Sequence, residues 1–360
     1  MTAADFFAGL PIPIIQAPMV GASSTAMTVA VSQAGGLGSV GAGAMSADEI
    51  AATAAAIRAQ TAAAFAMNLF VNRPAHPSAE DLDGALARLA PWYAQVGAPL
   101  PAIPNVFAPD FTAQLAAVRQ ARPAVASFTF GPLTVDEAAA LRAAGVLIIG
   151  TATTVAEAKA WADLGADAIC AQGFEAGGHR GHFLAEAEAS LVGTFALVAT
   201  IRRAVDLPVI AAGGIMDGEG VAAALALGAV AAQMGTAFLR TAESVISAPW
   251  RQALEAAPDE ATRLTRAITG RHARGIENRF MREMKAVEGD VPAYPVQNRL
   301  TQPLRAAAAA AGHADVLSLW AGQGATMAAP GRSGELVGQW WDQARAAAGR
   351  LGTRTRSGAA

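Results

Sequence analysis

The chain has 360 residues, which is enough for one large domain with an insertion or an appendage. Hydrophobic residues make up 53% and charged residues 15% of the sequence, so a sizeable core can be buried. The formal net charge is -3, from 26 basic and 29 acidic residues, and no basic run is present. Because nucleic-acid binding needs clustered Lys and Arg, this distribution argues against a nucleic-acid partner.

The cysteine content and the first residues bear on the compartment. The single cysteine, Cys170, excludes an internal disulfide framework and favours a reducing environment. Residues 1–10 contain Asp5 and lack the positively charged start of a signal peptide. Apolar stretches such as 191–201 are much shorter than the ~20 residues that span a bilayer. We therefore expect a cytoplasmic protein with no membrane partner.

Short apolar runs alternate with helix-forming segments along most of the chain. The strands are predicted at residues 13–19, 37–43, 64–70, 125–130, 146–151, 168–172, 208–214 and 231–236. The helices predicted between them include residues 47–60, 135–144, 155–164, 190–205 and 217–227. Strict alternation of strands and helices requires a parallel sheet, and eight such units close most economically as a (β/α)8 TIM barrel.

The pattern changes after the eighth strand. Residues 241–303 are richer in charge and proline, and we predict that they form a lid or substrate region over the barrel mouth. The barrel domain is predicted to comprise residues 1–240 and 304–350. Closing helices are predicted at residues 304–312 and 333–350, followed by a loose tail at 352–360.

The loop after the sixth strand carries the strongest candidates for chemistry. It is broken by glycines and contains Glu175, His179 and His182, where parallel α/β folds place their catalytic groups. His179 can exchange a proton near neutral pH and is the predicted catalytic residue. A purely structural histidine is the alternative. A metal site is not favoured, because the spacing offers no clear third ligand.

Glycines also end the last two strands. Barrels commonly bind phosphate at these two positions, through backbone N–H groups and a short helix. Gly213 and Gly214 follow the seventh strand, while Gly235 and Thr236 follow the eighth. The sequence therefore predicts a phosphate site there, with ordinary tight turns as the alternative.

Another glycine pattern, G-x-G-x-x-G at residues 36–41, is not interpreted as a dinucleotide site. It follows a predicted helix and enters a strand, whereas the nucleotide-binding turn leaves a strand and opens a helix. No G-x-S-x-G elbow for a serine nucleophile is present either.

Three amides end predicted strands, namely Gln16, Asn68 and Gln172. Polar groups at these positions need partners, and a heteroaromatic ring with alternating donors and acceptors would supply them. Neighbouring backbone could equally satisfy any one of them. Cys170, inside the sixth strand, is interpreted as a small buried hydrophobic residue and not as a nucleophile.

These motifs together resemble the FMN-dependent nitronate monooxygenases, formerly called 2-nitropropane dioxygenases. The resemblance covers residues 13–324, is strongest in residues 167–240, and is closest to the class that uses propionate 3-nitronate. It rests on residues 16–19, Asn68, 173–181, 211–215, 233–236, 273–280 and 321–324. This chain departs from the family in having only two tyrosines, where family members often place several in the substrate pocket.

The resemblance implies a role for each matching residue. FMN would be held by Gln16, Pro18, Met19, Asn68, Gln172, Gly177, Gly213, Gly214, Gln233, Met234, Gly235 and Thr236. His179 would be a base for neutral nitroalkanes and, when protonated, an electrostatic partner for a nitronate. His179 and Tyr294 would contact the substrate, and no metal is expected.

The function implied by the resemblance is oxidative denitrification of alkyl nitronates with O2, giving an aldehyde and nitrite or nitrate, with detoxification as the role. Small-molecule nitronate and O2 are then the partners, and homo-oligomerisation stays open. The Glu-Ala-Gly-Gly-His core is shared with flavin-dependent reductases, so an NADH:quinone or enoyl-thioester reductase is the alternative enzyme. A non-catalytic flavin- or phosphate-binding barrel is the second alternative.

Overall fold

The computed structural model describes residues 2–72 and 74–357, with side chains as far as residue 351. Its strands are β1 (Ile14–Gln16), β2 (Gly38–Gly41), β3 (Phe65–Phe70), β4 (Val125–Thr129), β5 (Leu147–Ala152), β6 (Ala168–Gln172), β7 (Gly178–His179), β8 (Val209–Ala212), β9 (Ala231–Met234), β10 (Thr262–Thr265) and β11 (Ala273–Ile276). Its helices are α1 (Ala3–Ala8), α2 (Thr25–Gln33), α3 (Ala47–Arg58), α4 (Ala79–Gln95), α5 (Phe111–Ala121), α6 (Val135–Ala143), α7 (Val155–Asp163), α8 (Thr194–Arg202), α9 (Gly218–Ala226), α10 (Ala248–Glu255), α11 (Arg279–Met284), α12 (Val296–Ala310) and α13 (Ser333–Ser357).

Eight of these strands form a parallel barrel with the order β1-β9-β8-β6-β5-β4-β3-β2. The two strands at the ends of this order meet through a parallel bridge between Ile15 and Leu37, which closes the ring. The predicted (β/α)8 TIM barrel is therefore confirmed. Each predicted strand overlaps one observed strand, because each apolar run was already bounded by glycine or a polar residue.

The register of the barrel brings several polar strand ends to one rim. Gln172 pairs with Ala212, and Ala212 pairs with Gln233, so these ends of β6, β8 and β9 lie at the same level. On the opposite side of the ring, Asn68 pairs with Ser127. In a parallel barrel, all carboxyl ends point the same way, and active sites form there.

The core has two parts, since alternate residues of a strand face opposite sides. Ile14 packs outward against the helices, while its neighbour Ile15 packs inside the barrel. Phe6 and Phe7 of α1 join the inner cluster and pack against the first residues of several strands. Helix α1 thus closes the amino end of the barrel and leaves the carboxyl end for a cavity.

A second sheet lies beside the barrel. Strand β11 pairs antiparallel with β10 on one edge and with β7 on the other, where Ala273 faces His179. The region predicted as a lid therefore contributes a neighbouring strand to the loop that carries His179. Helix α12 runs through the predicted boundary at residues 303 and 304, and the division into barrel and lid stays a prediction.

Two helix boundaries differ from those predicted. The tail was expected to be loose from residue 352, but α13 continues as a helix to Ser357, and residues 358–360 lie outside the described chain. The helix expected at 190–205 begins only at Thr194, after a short 3-10 turn at Glu188–Ser190. None of the described helices has the length and apolarity required to cross a bilayer.

Candidate active site

A cavity of about 550 Å³ opens at the carboxyl ends of the barrel strands. This volume is within the range of roughly 300–1,000 Å³ that is usual for small-molecule sites. The predicted site residues in its wall are Pro18, Met19, Asn68, Gln172, Gly177, His179, Gly213, Gly214, Gln233, Gly235, Thr236 and Tyr294. Residues from distant parts of the sequence thus meet around one space.

Gln16 and Met234 do not reach this cavity. Both are fully buried and absent from its wall. The Gln16 amide accepts a hydrogen bond from Ser39 N–H at 2.9 Å and donates one to Ser23 Oγ, also at 2.9 Å. Ser23 Oγ in turn accepts from the N–H of Met19 at 3.0 Å. Gln16 therefore shapes the loop that carries Met19, and its amide is satisfied by the protein itself.

Gln172 lines the cavity, but its amide also holds the loop after β6, which carries His179. Its Nε2 donates to the carbonyl of His179 at 3.0 Å, and its Oε1 accepts from Gly181 N–H at 2.8 Å and from Arg180 Nη1 at 3.1 Å. Arg180 is fully buried and also donates to the carbonyls of Gly173 and Ser190. The loop around His179 is thus fixed from both sides, which limits the motion of its imidazole.

Glu175 explains why α8 begins late. Its carboxylate accepts hydrogen bonds from the N–H of Thr194 at 2.9 Å and from the hydroxyl of the same residue at 2.7 Å. The preceding Gly193 has no side chain with which to cap the helix, so a carboxylate from the loop after β6 takes that place. This links the loop after β6 to the first turn of α8.

The His179 imidazole is oriented by a hydrogen-bonded chain. Its Nε2 lies 2.9 Å from Thr269 Oγ1, and that hydroxyl donates to the carbonyl of Arg271 at 3.1 Å. Because the only hydroxyl proton of Thr269 is used in this way, its oxygen accepts from Nε2–H of a neutral imidazole. Nδ1 then carries the lone pair and is the atom able to take a proton.

The surroundings of His179 keep it neutral. Burial lowers its pKa to about 3, and the positive charges of Arg271 and Arg305 act in the same direction. Aromatic rings surround it, with centroids 5.9 Å away in Phe70, 5.5 Å in Tyr294 and 5.7 Å in Trp320. His179 is therefore neutral at neutral pH, which is the state that the predicted role of base requires.

The turns after β8 and β9 provide backbone donors. Gly213 and Gly214 have φ of 111° and 75°, in the left-handed region that side chains rarely adopt. Within the described chain, the N–H groups of Gly214, Gly235 and Thr236 have no protein acceptor. Thr236 Oγ1 accepts from Gly322 N–H at 2.9 Å, which leaves its own proton free to donate. A 3-10 turn over Thr236–Phe238 follows these N–H groups.

Two amide oxygens in the wall lack protein partners within the described residues. Asn68 uses its nitrogen on Ser127 Oγ at 3.0 Å, and its oxygen is not engaged. Gln233 places its nitrogen 3.4 Å from the sulfur of Cys170, and its oxygen is likewise not engaged. Burial raises the pKa of Cys170 to about 12, so its thiol stays protonated and unreactive. No cluster of three or more metal-ligating side chains occurs in the described part of the chain.

Comparison with known proteins agrees with this geometry. The sequence profile described as nitronate monooxygenase matches residues 5–341, nearly the whole chain. The chain belongs to the nitronate monooxygenase family. It is therefore an oxidoreductase.

Individual members of the nitronate monooxygenase family are similar over most of their length. The nitronate monooxygenase of Paraburkholderia phytofirmans is 44% identical over 336 residues, covering 92% of each chain. A probable nitronate monooxygenase of Staphylococcus aureus is 40% identical over 317 residues, covering 88% of this chain and 89% of that one.

Two solved structures have the same architecture. Nitroalkane oxidase from Streptomyces ansochromogenes superposes with a TM-score of 0.88 at 41% identity, covering 96% of this chain and 99% of that chain. FabK from Thermotoga maritima superposes with a TM-score of 0.76 at 26% identity, covering 98% and 99%. This chain therefore shares its barrel with enzymes of more than one name.

The residues of the cavity wall that were not predicted from the sequence include Thr269, Arg305 and Trp320. Thr269 and Trp320 lie in irregular segments just outside the motifs at residues 273–280 and 321–324. Arg305 did leave a signal, because Asn298, Gln302 and Arg305 follow helical spacing and face one side of α12.

Proposed function

We propose that the protein is an FMN-dependent nitronate monooxygenase that oxidises alkyl nitronates such as propionate 3-nitronate with O2, giving an aldehyde and nitrite or nitrate. The observation that carries this proposal is a neutral imidazole in the wall of the cavity that also contains the free N–H donors of the last two turns. A proton acceptor and an anion-binding edge are thus available to one bound pair of cofactor and substrate.

The residues of the cavity fit FMN. The N–H groups of Gly214, Gly235 and Thr236 and the hydroxyl of Thr236 are suited to a phosphate. The oxygens of Asn68 and Gln233 are suited to an N–H donor of a heteroaromatic ring. Met19 and Gly177 would contact the ring from the surrounding loops. When bound, the flavin supplies the electron transfer from nitronate and the reaction with O2.

His179 has two roles in this proposal. With a neutral nitroalkane, Nδ1 takes the proton from the carbon that bears the nitro group, while Thr269 holds the other nitrogen. A nitronate has already lost this proton, so here the neutral imidazole orients the substrate and the surrounding rings exclude water. Tyr294, whose pKa burial raises to about 12, keeps its hydroxyl proton and offers a neutral donor.

Oxygen uptake tests the proposal directly. We expect the purified protein to be yellow and to consume O2 with propionate 3-nitronate in the absence of NADH. The variant His179→Asn should keep its visible spectrum but turn over a neutral nitroalkane about 10²–10⁴-fold more slowly, because the base is missing.

Two other results would contradict the proposal, and each would support a different function. Consumption of NADH with a quinone or an enoyl thioester, without nitronate-dependent oxygen uptake, would identify a flavin-dependent reductase. A bound flavin with no turnover of either kind would indicate a carrier or sensor, and in that protein His179→Asn would have no catalytic effect.

A further inference from the structure

The charge of the cavity wall is concentrated in one residue. Among the described residues that line the cavity, Arg305 alone carries a formal charge at neutral pH, and no Asp or Glu is present. His179 adds no charge, since its pKa lies near 3. A cavity with one cation and no carboxylate favours an anionic occupant.

The guanidinium of Arg305 is oriented by neutral groups only. Nη1 donates to Ser318 Oγ at 3.2 Å, and Nη2 donates to the carbonyl of Asn298 at 3.1 Å and to its Oδ1 at 2.8 Å. The buried Nε–H has no partner in the described chain. None of these contacts neutralises the charge, although a half-buried cation is costly without a counter-charge. Helix α12 therefore holds a positioned guanidinium with unused donor capacity.

Arg305 acts on the same end of the cavity as the candidate base. Its positive charge contributes to the lowered pKa of His179 and opposes the effect of burial on the pKa of Tyr294. Arg271 has the same two effects, but it is not part of the cavity wall, and it donates to the carbonyls of Arg180 and His182. Of the two arginines that lower the pKa of His179, Arg305 is the one in the cavity wall.

We propose that Arg305 binds a second anionic group on the substrate, a carboxylate, and thereby selects nitronates that carry two negative charges over simple alkyl nitronates. A guanidinium fork matches a carboxylate in charge and shape. Ser318 and Asn298 act as positioning residues that aim this fork. The inference depends on the proposed nitronate oxidation, and it names the residue that sets the substrate class.

Paired substrates test the proposal with the holoenzyme. Kinetics are measured for Arg305→Gln with propionate 3-nitronate and with propyl-1-nitronate, which lacks the carboxylate. We expect the KM for propionate 3-nitronate to rise about tenfold to a hundredfold, as for loss of one charge-assisted hydrogen-bonded pair, while the KM for propyl-1-nitronate changes less than about twofold. Arg305→Lys should recover part of the difference, because it restores charge without the fork.

A matched variant and a binding measurement separate charge from structure. Arg282→Gln removes a positive charge from the exposed face of α11, outside the cavity wall, and it should leave both KM values unchanged. Anaerobic calorimetric titration with 3-nitropropionate should show tighter binding to the wild type than to Arg305→Gln.

The outcomes are distinguishable. An equal rise in both KM values for Arg305→Gln would assign the residue a structural role and overturn the inference, as would unchanged KM values and unchanged binding. In both cases the wild type still oxidises nitronates. A wild-type protein that oxidises neither nitronate would instead refute the proposed function on which the inference depends.

Discussion

Burial gives His179 its chemical character. An imidazole in water is half protonated near pH 6.5, but here burial and two neighbouring arginines lower the pKa to about 3. The native chain thus takes up this proton only near pH 3, whereas the unfolded chain takes it up near pH 6.5. Unfolding is therefore favoured as the pH falls from 6.5 to 3, and the contribution of His179 to stability is complete above 6.5.

We expect His179 to be neutral and to carry its ring proton on one defined nitrogen. In protein labelled with 15N at histidine, the His179 ring should remain neutral from pH 5 to 8 and carry its proton on Nε2, because Thr269 accepts from that atom. Heteronuclear NMR measures both properties, and the variant His179→Asn identifies the signals.

Thr269→Val is the matched variant for this measurement. Valine has a similar shape but no oxygen, so the preference for Nε2–H should weaken, and Thr269→Ser should restore it. A ring that titrates near pH 6.5 in the wild type, or one protonated on Nδ1, would contradict the assignment of Nδ1 as the base.

Among the helices, α12 has a break in its backbone hydrogen bonds that a side chain of another helix bridges. Pro303 lies inside the helix and cannot donate a backbone hydrogen bond. One residue later, Leu304 N–H donates to the hydroxyl of Tyr93 at 3.2 Å, and that hydroxyl donates to the carbonyl of Leu300 at 2.6 Å. A buried side chain from α4 thus stands inside the hydrogen-bond ladder of α12.

The variant Tyr93→Phe should therefore be destabilised. It leaves a buried N–H and a buried carbonyl without their partner, which costs about 1–3 kcal/mol in the free energy of unfolding. Denaturant titration measures this loss. In a Pro303→Ala background the ladder can close directly, so the same substitution should cost clearly less. An equal cost in both backgrounds would show that the hydroxyl does not serve the ladder.

Elements determined by adjacent residues could be predicted from the sequence, whereas those determined by distant residues could not. Every barrel strand was predictable, because an apolar run between polar ends is a property of five to seven adjacent residues. The pairing of His179 with Ala273 was not, since the two residues lie almost a hundred positions apart and β7 is only two residues long. The start of α8 was missed for the same reason, because its cap comes from Glu175.

The parts of the candidate site that lie in sequence motifs could be predicted. Glycine turns and strand-end amides are recognisable in sequence, and the turns do meet in one cavity. Burial is not recognisable in this way, so the neutral state of His179 could not be foreseen. Gln16 shows the limit of a strand-end argument, since its side chain faces Ser39 and Ser23 and not the cavity.

At the scale of the whole molecule, the cavity belongs to no single part of the chain. The barrel contributes Asn68 and Gly213, while the region proposed as a lid contributes Trp250, Thr269 and Tyr294. Helix α1 packs against the amino end of the barrel, and the cavity opens at the carboxyl side. We propose that residues 241–303 form the lid over a barrel of residues 1–240 and 304–350, with FMN between the two.

A crystal structure of the purified, flavin-loaded protein tests this central claim most directly. We expect electron density for one FMN in the cavity, with its phosphate on the N–H groups of Gly214, Gly235 and Thr236 and its ring within reach of His179. A phosphate bound elsewhere, or a ring separated from His179 by the barrel wall, would contradict it.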